Sequence, residues 1–275
     1  MREPLIVNVI QLQARRSKKD SLEAVKSLVR RSTGELIVLP EYAMFDPTGV
    51  DADTIYYESE TLDGVWIGTL RDLAVELGSC IIGSLFERSP QPPRVYNTIV
   101  FIDKNGSIRR VYRKTHLFDA LGYRESSFTL PGSEAPEPLD FCGLRLGYAI
   151  CFEIRYPELF RLQALRGAEA FVVPSAWYMG HGKEESYRFL AQARAHENTA
   201  YLIGSVLFGE RFTGRSLVVD PYGVVIAEAG FGERIVEAIL DPAVLEEARR
   251  RLPLLELRRN DLYNIDYSGK QEKES

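Results

Sequence analysis

A chain of 275 residues with a formal net charge of −5, 45% hydrophobic and 27% charged residues, has the composition of an ordinary globular protein. The acidic balance argues against nucleic acid as a main partner, because acids flank most of the basic clusters (Arg109-Arg110, Arg249-Arg250-Arg251, Arg258-Arg259), which read as solvated faces. No apolar run reaches the length of a membrane span, and the opening MREPLIVNVIQLQ lacks a secretory signal's long apolar core, so the expectation is a cytoplasmic protein without a membrane partner.

LIVNVIQLQ (5–13) alternates and is β-branched, which predicts a strand. DSLEAVKSLVRR (20–31) carries Leu22, Val25, Leu28 and Val29 on one face, an amphipathic helix with Asp20 or Ser21 as its cap. ELIVLPE (35–41) is a short apolar run broken by Pro40, a buried strand, and 42–60 reads as a loop. WIGTLRDLAVELG (66–78) is a helix closed by Gly78. SCIIGSLFE (79–87) and YNTIVFID (96–103) are strands, and Lys104-Asn105-Gly106-Ser107 turns into the strand SIRRVYRK. The second half repeats the style. LRLGYAI (144–150) is a strand, PELFRLQALRG (157–167) a helix, AEAFVVPS (168–175) a strand, EESYRFLAQARAHENT (184–199) a helix and AYLIGSVLF (200–208) a strand. A hairpin on Pro221-Tyr222-Gly223, a last strand RIVEAIL and the helix PAVLEEARRRL (242–252) follow. Alternating strands and helices mean α/β, and two similar sheets packed together with helices outside would bury so many apolar strands. No linker interrupts the chain, which reads as one domain over 1–265 with a polar tail at 266–275.

Three cysteines (Cys80, Cys142, Cys151) make no disulfide framework and no C-x-x-C pair. Three histidines (His116, His181, His196) make no ligand pair, so no metal is expected. Cys80 and Cys142 read as plain buried cysteines. Cys151 differs, because in GYAICFEIRYPELF it stands where the apolar run stops and charge begins. A thiol at the carboxyl end of a buried strand lies where α/β folds place ligands. Glu41 also follows an apolar run, and Lys114 ends the strand SIRRVYRK. A thiol with a pKa near ~8.5 needs help to act as a nucleophile at neutral pH. Glu41 can take its proton. Lys114 can stabilise the thiolate and a later oxyanion, with the backbone N–H of Phe152 as a second oxyanion donor.

LPE (39–41), YRKTHLFD (112–119) and YAICFEIRYPEL (148–159) resemble the three signatures of the nitrilase superfamily of carbon–nitrogen hydrolases. RESSFTLPG (124–132), VVPSAW (172–177), LAQARAHEN (190–198) and LRRNDLY (257–263) extend the resemblance over nearly the whole chain. It implies a four-layer α-β-β-α sandwich, with Glu41 as general base, Lys114 as oxyanion stabiliser, Cys151 as nucleophile and Glu125 as the acid that orients Lys114. It implies no metal or organic cofactor, and a homodimer or higher homo-oligomer that packs helices, the C-terminal segment crossing to the neighbour.

Tyr42, Phe152, Ser175, Ala176, Trp177 and Tyr178, beside the motifs, are the expected pocket residues, and 42–60 and 176–186 the expected mouth. Glu153 and Arg155 are expected to form structural ion pairs or hold the elbow. His116, His196 and Arg194 are expected to be structural. CFEIRYPE and LRRNDLY look closest to the ω-amidase and deaminated-glutathione amidase branch, which implies a small linear amide substrate, with the ω-amide of a dicarboxylate as a candidate. Arg124, Arg155, Arg188 and Arg211 are candidates for its far carboxylate. A nitrilase or an N-carbamoyl-amine hydrolase is the alternative on the same site, and a binding protein that lost its chemistry is a third reading.

Overall fold

Leu36 and Val38 face one apolar layer and Ile37 the other, as the period of two in an extended chain requires. Cys80 and Ile82 against Ile81, and Ile99 and Phe101 against Val100 and Ile102, repeat the division. This two-sided burial makes the strands read as continuous apolar runs. The computed structural model describes residues 2–262, so the expected tail at 266–275 and Tyr263 of the LRRNDLY segment lie outside the described residues.

In chain order the strands are β1 (Leu5–Gln11), β2 (Leu36–Val38), β3 (Cys80–Arg88), β4 (Val95–Ile102), β5 (Ile108–Arg113), β6 (Thr129–Leu130), β7 (Leu139–Phe141), β8 (Leu144–Tyr148), β9 (Ala170–Ser175), β10 (Tyr201–Val206), β11 (Leu217–Val219), β12 (Val225–Glu228) and β13 (Arg234–Leu240). The helices are α1 (Lys18–Arg30), α2 (Ala52–Glu58), α3 (Val65–Leu77), α4 (Pro157–Leu165), α5 (Lys183–Asn198) and α6 (Pro242–Arg251). One sheet runs β13-β1-β2-β3-β4-β5, with β6 paired to β4, and the other runs β12-β11-β10-β9-β8-β7. The inward residues of β1, β2 and β3 share a core with β8, β9 and β10. Outside the first sheet, Val25, Leu28 and Val29 of α1 and Trp66, Ile67 and Leu70 of α3 cover Ile37 and Ile81. Phe160 of α4 and Tyr187 of α5 belong to the core of the second sheet. The result is the α-β-β-α sandwich. Each fully buried aliphatic side chain in it contributes roughly 1.5–3 kcal/mol.

Several local expectations shift. Ser17, not Asp20 or Ser21, caps α1, accepting from the Asp20 N–H at 3.3 Å. Part of 42–60 is the helix α2, capped by Asp51. With Ile55 as its one buried residue, α2 has no apolar period to read. Cys142 is half-buried in the β7–β8 turn at φ 52°, its Sγ 3.2 Å from the Glu35 carbonyl oxygen, rather than in the core. Gly78 closes α3 in the left-handed conformation at φ 64°. The last strand, β13, leaves the second half and pairs antiparallel with β1, so the two sheets are not the two halves of the chain. Among the described residues no helix is long and apolar enough to cross a membrane.

Candidate active site

Lys114 follows the last residue of β5 and is held at both ends of its own peptide units. Its N–H donates to the Asn97 carbonyl at 2.9 Å, and its carbonyl accepts from the Gly132 N–H at 2.8 Å. A Cβ at residue 132 would come within 2.2 Å of the Arg113 carbonyl oxygen, so only glycine permits this approach. The side chain is therefore aimed from a clamped backbone. Its Nζ donates to Glu41 Oε1 at 2.8 Å and to Glu125 Oε2 and Oε1 at 2.9 and 3.2 Å. All three residues are at most 1% exposed. Burial works against the Lys114 charge, but the Glu125 and Glu41 carboxylates outweigh it and raise its pKa, which keeps the ammonium charged at neutral pH.

Glu41 follows the β2 run, and its second oxygen accepts from the Ala176 N–H, just past β9, at 2.8 Å. Glu125 opens a 3₁₀ turn, and its Oε2 also accepts from the Phe118 N–H at 2.7 Å. The Tyr42 hydroxyl lies 3.4 Å from Glu125 Oε1. Asn97, on β4, donates its amide to both carboxylates, 2.7 Å to Glu41 and 3.0 Å to Glu125. The sequence reading missed it, although a polar residue inside the apolar run VYNTIVF was the available signal.

Cys151 begins the 3₁₀ turn Cys151–Arg155 just beyond β8, with φ at 48°. A side chain in the left-handed region is strained, so the surroundings must hold it there. Glu153, fully buried, does much of this. Its Oε2 accepts from the Ile150 N–H at 2.8 Å. Its Oε1 accepts from the Tyr112 hydroxyl (2.8 Å), the Thr115 N–H (2.9 Å) and hydroxyl (2.7 Å) and the His116 N–H (3.1 Å). The elbow is thereby tied to the residues that follow Lys114. Burial opposes the Glu153 charge, but His116, Thr115 and the Ile150 N–H hold its pKa below the usual carboxylate value. From outside, Arg194 of α5 donates to the Ile154 carbonyl at 2.9 Å. His116 is stacked on Tyr156 with its Nδ1 2.9 Å from the Thr115 hydroxyl, and His196 Nδ1 lies 3.1 Å from the Tyr222 carbonyl oxygen.

Burial and then the Glu41 charge raise the Cys151 pKa, and Lys114 opposes them in part. The resting group is the thiol, beside a carboxylate that can take its proton.

The expected pocket residues divide. Ala176 meets Glu41 through its backbone, and Trp177, 2% exposed, has Arg155 over its ring at 4.0 Å. Phe152 is half-buried and packs on Phe118 with ring centroids 5.1 Å apart. Ser175 is fully buried and its hydroxyl is spent on the Val173 carbonyl and the Tyr187 hydroxyl, both at 3.2 Å. A cavity of about 740 Å³ opens beside this group, lined in part by Thr48, Phe118, Tyr123, Tyr178, Met179 and Lys183. Thr48 and residues 178–183 come from the expected mouth, whereas 118–123 and 210–211 were not foreseen. Of the four candidate arginines, Arg188 pairs with Glu228 and Arg211 lies 3.9 Å from Asp46. Of the two expectations for Arg155, an ion pair or a hold on the elbow, the first is not met: it makes no ion pair among the described residues and lies against Trp177 and Phe152.

A model of the carbon-nitrogen hydrolase family matches residues 8–250. The chain is 34% identical over 224 residues to the deaminated glutathione amidase of Escherichia coli O157:H7, covering 82% of this chain and 84% of that protein. It is 32% identical over 265 residues to omega-amidase NIT3 of Saccharomyces cerevisiae, covering 90% of each. The crystal structure of yeast Nit3 superposes with a TM-score of 0.83 at 29% identity, over 94% of this chain and 97% of that one. A variant of the amidase from Nesterenkonia sp. AN1, with the acetamide moiety of fluoroacetamide covalently added at its active site cysteine, matches with a TM-score of 0.78 at 25% identity, over 94% and 95% of the two chains. The family match spans most of the chain, and the same sandwich recurs in solved relatives, so this chain belongs to the carbon–nitrogen hydrolase family.

Proposed function

We propose that the protein is an amidase that hydrolyses a small linear amide, the ω-amide of a dicarboxylic acid being the best candidate, through a thioester on Cys151. The observation that carries this reading is the buried Glu41–Lys114–Glu125 cluster beside a cysteine held at a strained turn. The names of the relatives, deaminated glutathione amidase and omega-amidase, support the substrate class.

Cys151 Sγ attacks the amide carbon as Glu41 takes the thiol proton. The carbonyl π electrons move to oxygen, where the Lys114 ammonium and the Phe152 N–H, one of the free donors at the start of the 3₁₀ turn, stabilise the charge. As the oxyanion collapses, the carbon–nitrogen bond breaks and Glu41 returns the proton to the departing nitrogen. Ammonia leaves and a thioester remains. Glu41 then takes a proton from water, whose oxygen attacks the thioester carbon. Collapse releases the acid, and the sulfur recovers its proton. Glu125, with Asn97, holds Lys114 and Glu41 in place throughout.

We also place the protein in the cytoplasm as a homodimer. Its three unpaired cysteines support the first, and exposed Phe189 on α5 with Val224 and Ile226 at the β11–β12 hairpin supports the second. The deciding experiment is ammonia release from a panel of ω-amides, aliphatic amides, nitriles and N-carbamoyl amines, with Cys151→Ala as control. Release from amides that disappears in the variant is expected. Release that survives Cys151→Ala overturns the mechanism, and turnover of nitriles or carbamoyl compounds alone overturns the substrate class.

A further inference from the structure

Two cysteines from different sheets meet on one carbonyl. The Glu35 carbonyl oxygen, just before β2, accepts from the Cys80 N–H at 2.8 Å and lies 3.2 Å from Cys142 Sγ. Cys80 opens β3 in the first sheet, and Cys142 stands in the β7–β8 turn of the second. Cys80 belongs to the core between the sheets, and Cys142 packs against that core. The two thiols are within hydrogen-bonding reach of each other. A cavity of about 570 Å³ is lined by both.

Backbone preference does not account for Cys142. Phe141 pairs with Leu144, so Cys142 and Gly143 form a two-residue loop, and their φ values of 52° and 79° are those of a type I′ turn. Asparagine, aspartate or glycine suits the first of these positions, whereas a cysteine in the left-handed region is strained. What the cysteine brings is its thiol. A disulfide needs two side chains directed at each other, as these are. Donation from the Cys142 thiol, helped by the Lys104 N–H, lowers the Cys80 pKa against its burial, and the same contact raises that of Cys142. Cys80 is therefore the more readily ionised sulfur, and Cys142 the one that keeps its proton.

We propose that Cys80 and Cys142 are a dithiol oxidation site, closed by a peroxide into a disulfide that staples the two sheets and opened again by a dithiol. In the first step the Cys80 thiolate attacks one peroxide oxygen. The S–O bond forms, the O–O bond breaks, and the departing hydroxide takes up the proton that Cys80 lost and leaves as water. In the second, the Cys142 sulfur attacks the sulfenic sulfur of Cys80. The S–S bond forms, the S–O bond breaks, and the second hydroxide leaves as water with the Cys142 proton. Both sulfurs are oxidised and the peroxide is reduced to two waters. A dithiol reverses the bond by exchange and becomes a disulfide itself. The staple closes a loop of about 60 residues, which constrains the unfolded chain. It stands apart from the amidase chemistry, because β2 and β8 both run away from it, toward Glu41 and Cys151.

The test uses the full chain carrying Cys151→Ala, so that only these two thiols remain, with hydrogen peroxide as the probe. Thiol titration in denaturant is expected to fall from two per chain to none. A digest without reductant should hold the Cys80 and Cys142 peptides joined. Tm should rise by about 5 °C or more, and dithiothreitol should restore the starting state. Cys142→Asn, added to the same chain, gives the turn a residue that suits it. It is expected to melt no lower than its parent in reductant, and to show no rise with peroxide. Thiols that stay free, sulfinic acid without a joined peptide, or a bond between two chains overturns the site. A joined peptide with no rise in Tm overturns the staple, and a rise that survives Cys142→Asn overturns the pairing.

Discussion

Asn97 donates its side-chain amide to Glu41 at 2.7 Å, although the two residues come from different strands of the first sheet's region and the bond is wholly buried. The same nitrogen reaches Glu125 at 3.0 Å, so one neutral donor joins the two carboxylates that flank Lys114. Asn97→Leu keeps the volume and removes the donor. The expected effect is a fall in kcat of about 10–100-fold, from roughly 1–3 kcal/mol of lost positioning. Asn97→Asp sets a third carboxylate against the first two and is expected to do worse, with a lower Tm as well. Steady-state ammonia release and a thermal melt check both. An Asn97→Leu enzyme with wild-type kcat would show that Asn97 is packing only.

The Cys151 thiol is expected to titrate above its usual range, because burial and the Glu41 carboxylate both oppose the thiolate. The pH dependence of iodoacetamide alkylation reports this directly. Glu41→Gln removes the opposing charge, so the midpoint of alkylation should move down. Ammonia release should meanwhile fall by about 10²–10⁴-fold, the usual loss when a general base is removed. An upward movement of the midpoint would contradict the electrostatic account.

Strain at the nucleophile has its own signature. The left-handed conformation of Cys151, at φ 48°, costs a non-glycine residue roughly 1–2 kcal/mol, while glycine carries an entropic cost of roughly 0.5–1 kcal/mol. Cys151→Gly is therefore expected to melt about 2 °C higher than Cys151→Ala, from the balance of about 0.5–1 kcal/mol. Paired calorimetric scans of the two inactive variants decide it. A melting point for Cys151→Ala at or above that of Cys151→Gly would show an unstrained turn.

Glu153 holds the elbow through five hydrogen bonds to its two oxygens. Glu153→Gln turns an amide N–H₂ toward at least one of those donors. Each group left unsatisfied costs roughly 1–3 kcal/mol, and Tm falls by about 2–4 °C for each kcal/mol. The folded-state pKa of Glu153 is depressed, so its contribution is present above the ordinary 4.5 and is lost as pH falls through the lower folded value. The gap in stability between wild type and Glu153→Gln should accordingly narrow as pH falls below about 4.5, and denaturant melts across that window measure it. A gap that stays constant would mean that the charge of Glu153 does no stabilising.

Much of this was legible from local order. The strands announced themselves as apolar runs because both faces of each sheet are covered, and Gly78 marked the end of α3 because only glycine takes φ 64° without strain. Cys151 and Glu41 stood out because each breaks an apolar run at its end, and Lys114 because it ends a strand, which is where a sheet meets solvent or a cleft. Glu125 came through resemblance alone, since a carboxylate in a loop has no local mark. Asn97 was hidden because its neighbours make it look like one more strand residue. Helix α2 was hidden because it buries so little.

By itself, then, the sequence determined the alternation of strands and helices, the turns that close them and the chemistry available at three strand ends. These depend on neighbours a few residues apart, through backbone sterics and the periods of two and 3.6. Only the tertiary structure decided that β13 pairs with β1, that Glu41 and Lys114, 73 positions apart, bond at 2.8 Å, and that Arg155 and Lys183 stand over one indole. Those relationships arise when two sheets close on a shared core, and the burial that drives the closure is non-directional, so no short stretch of chain carries them.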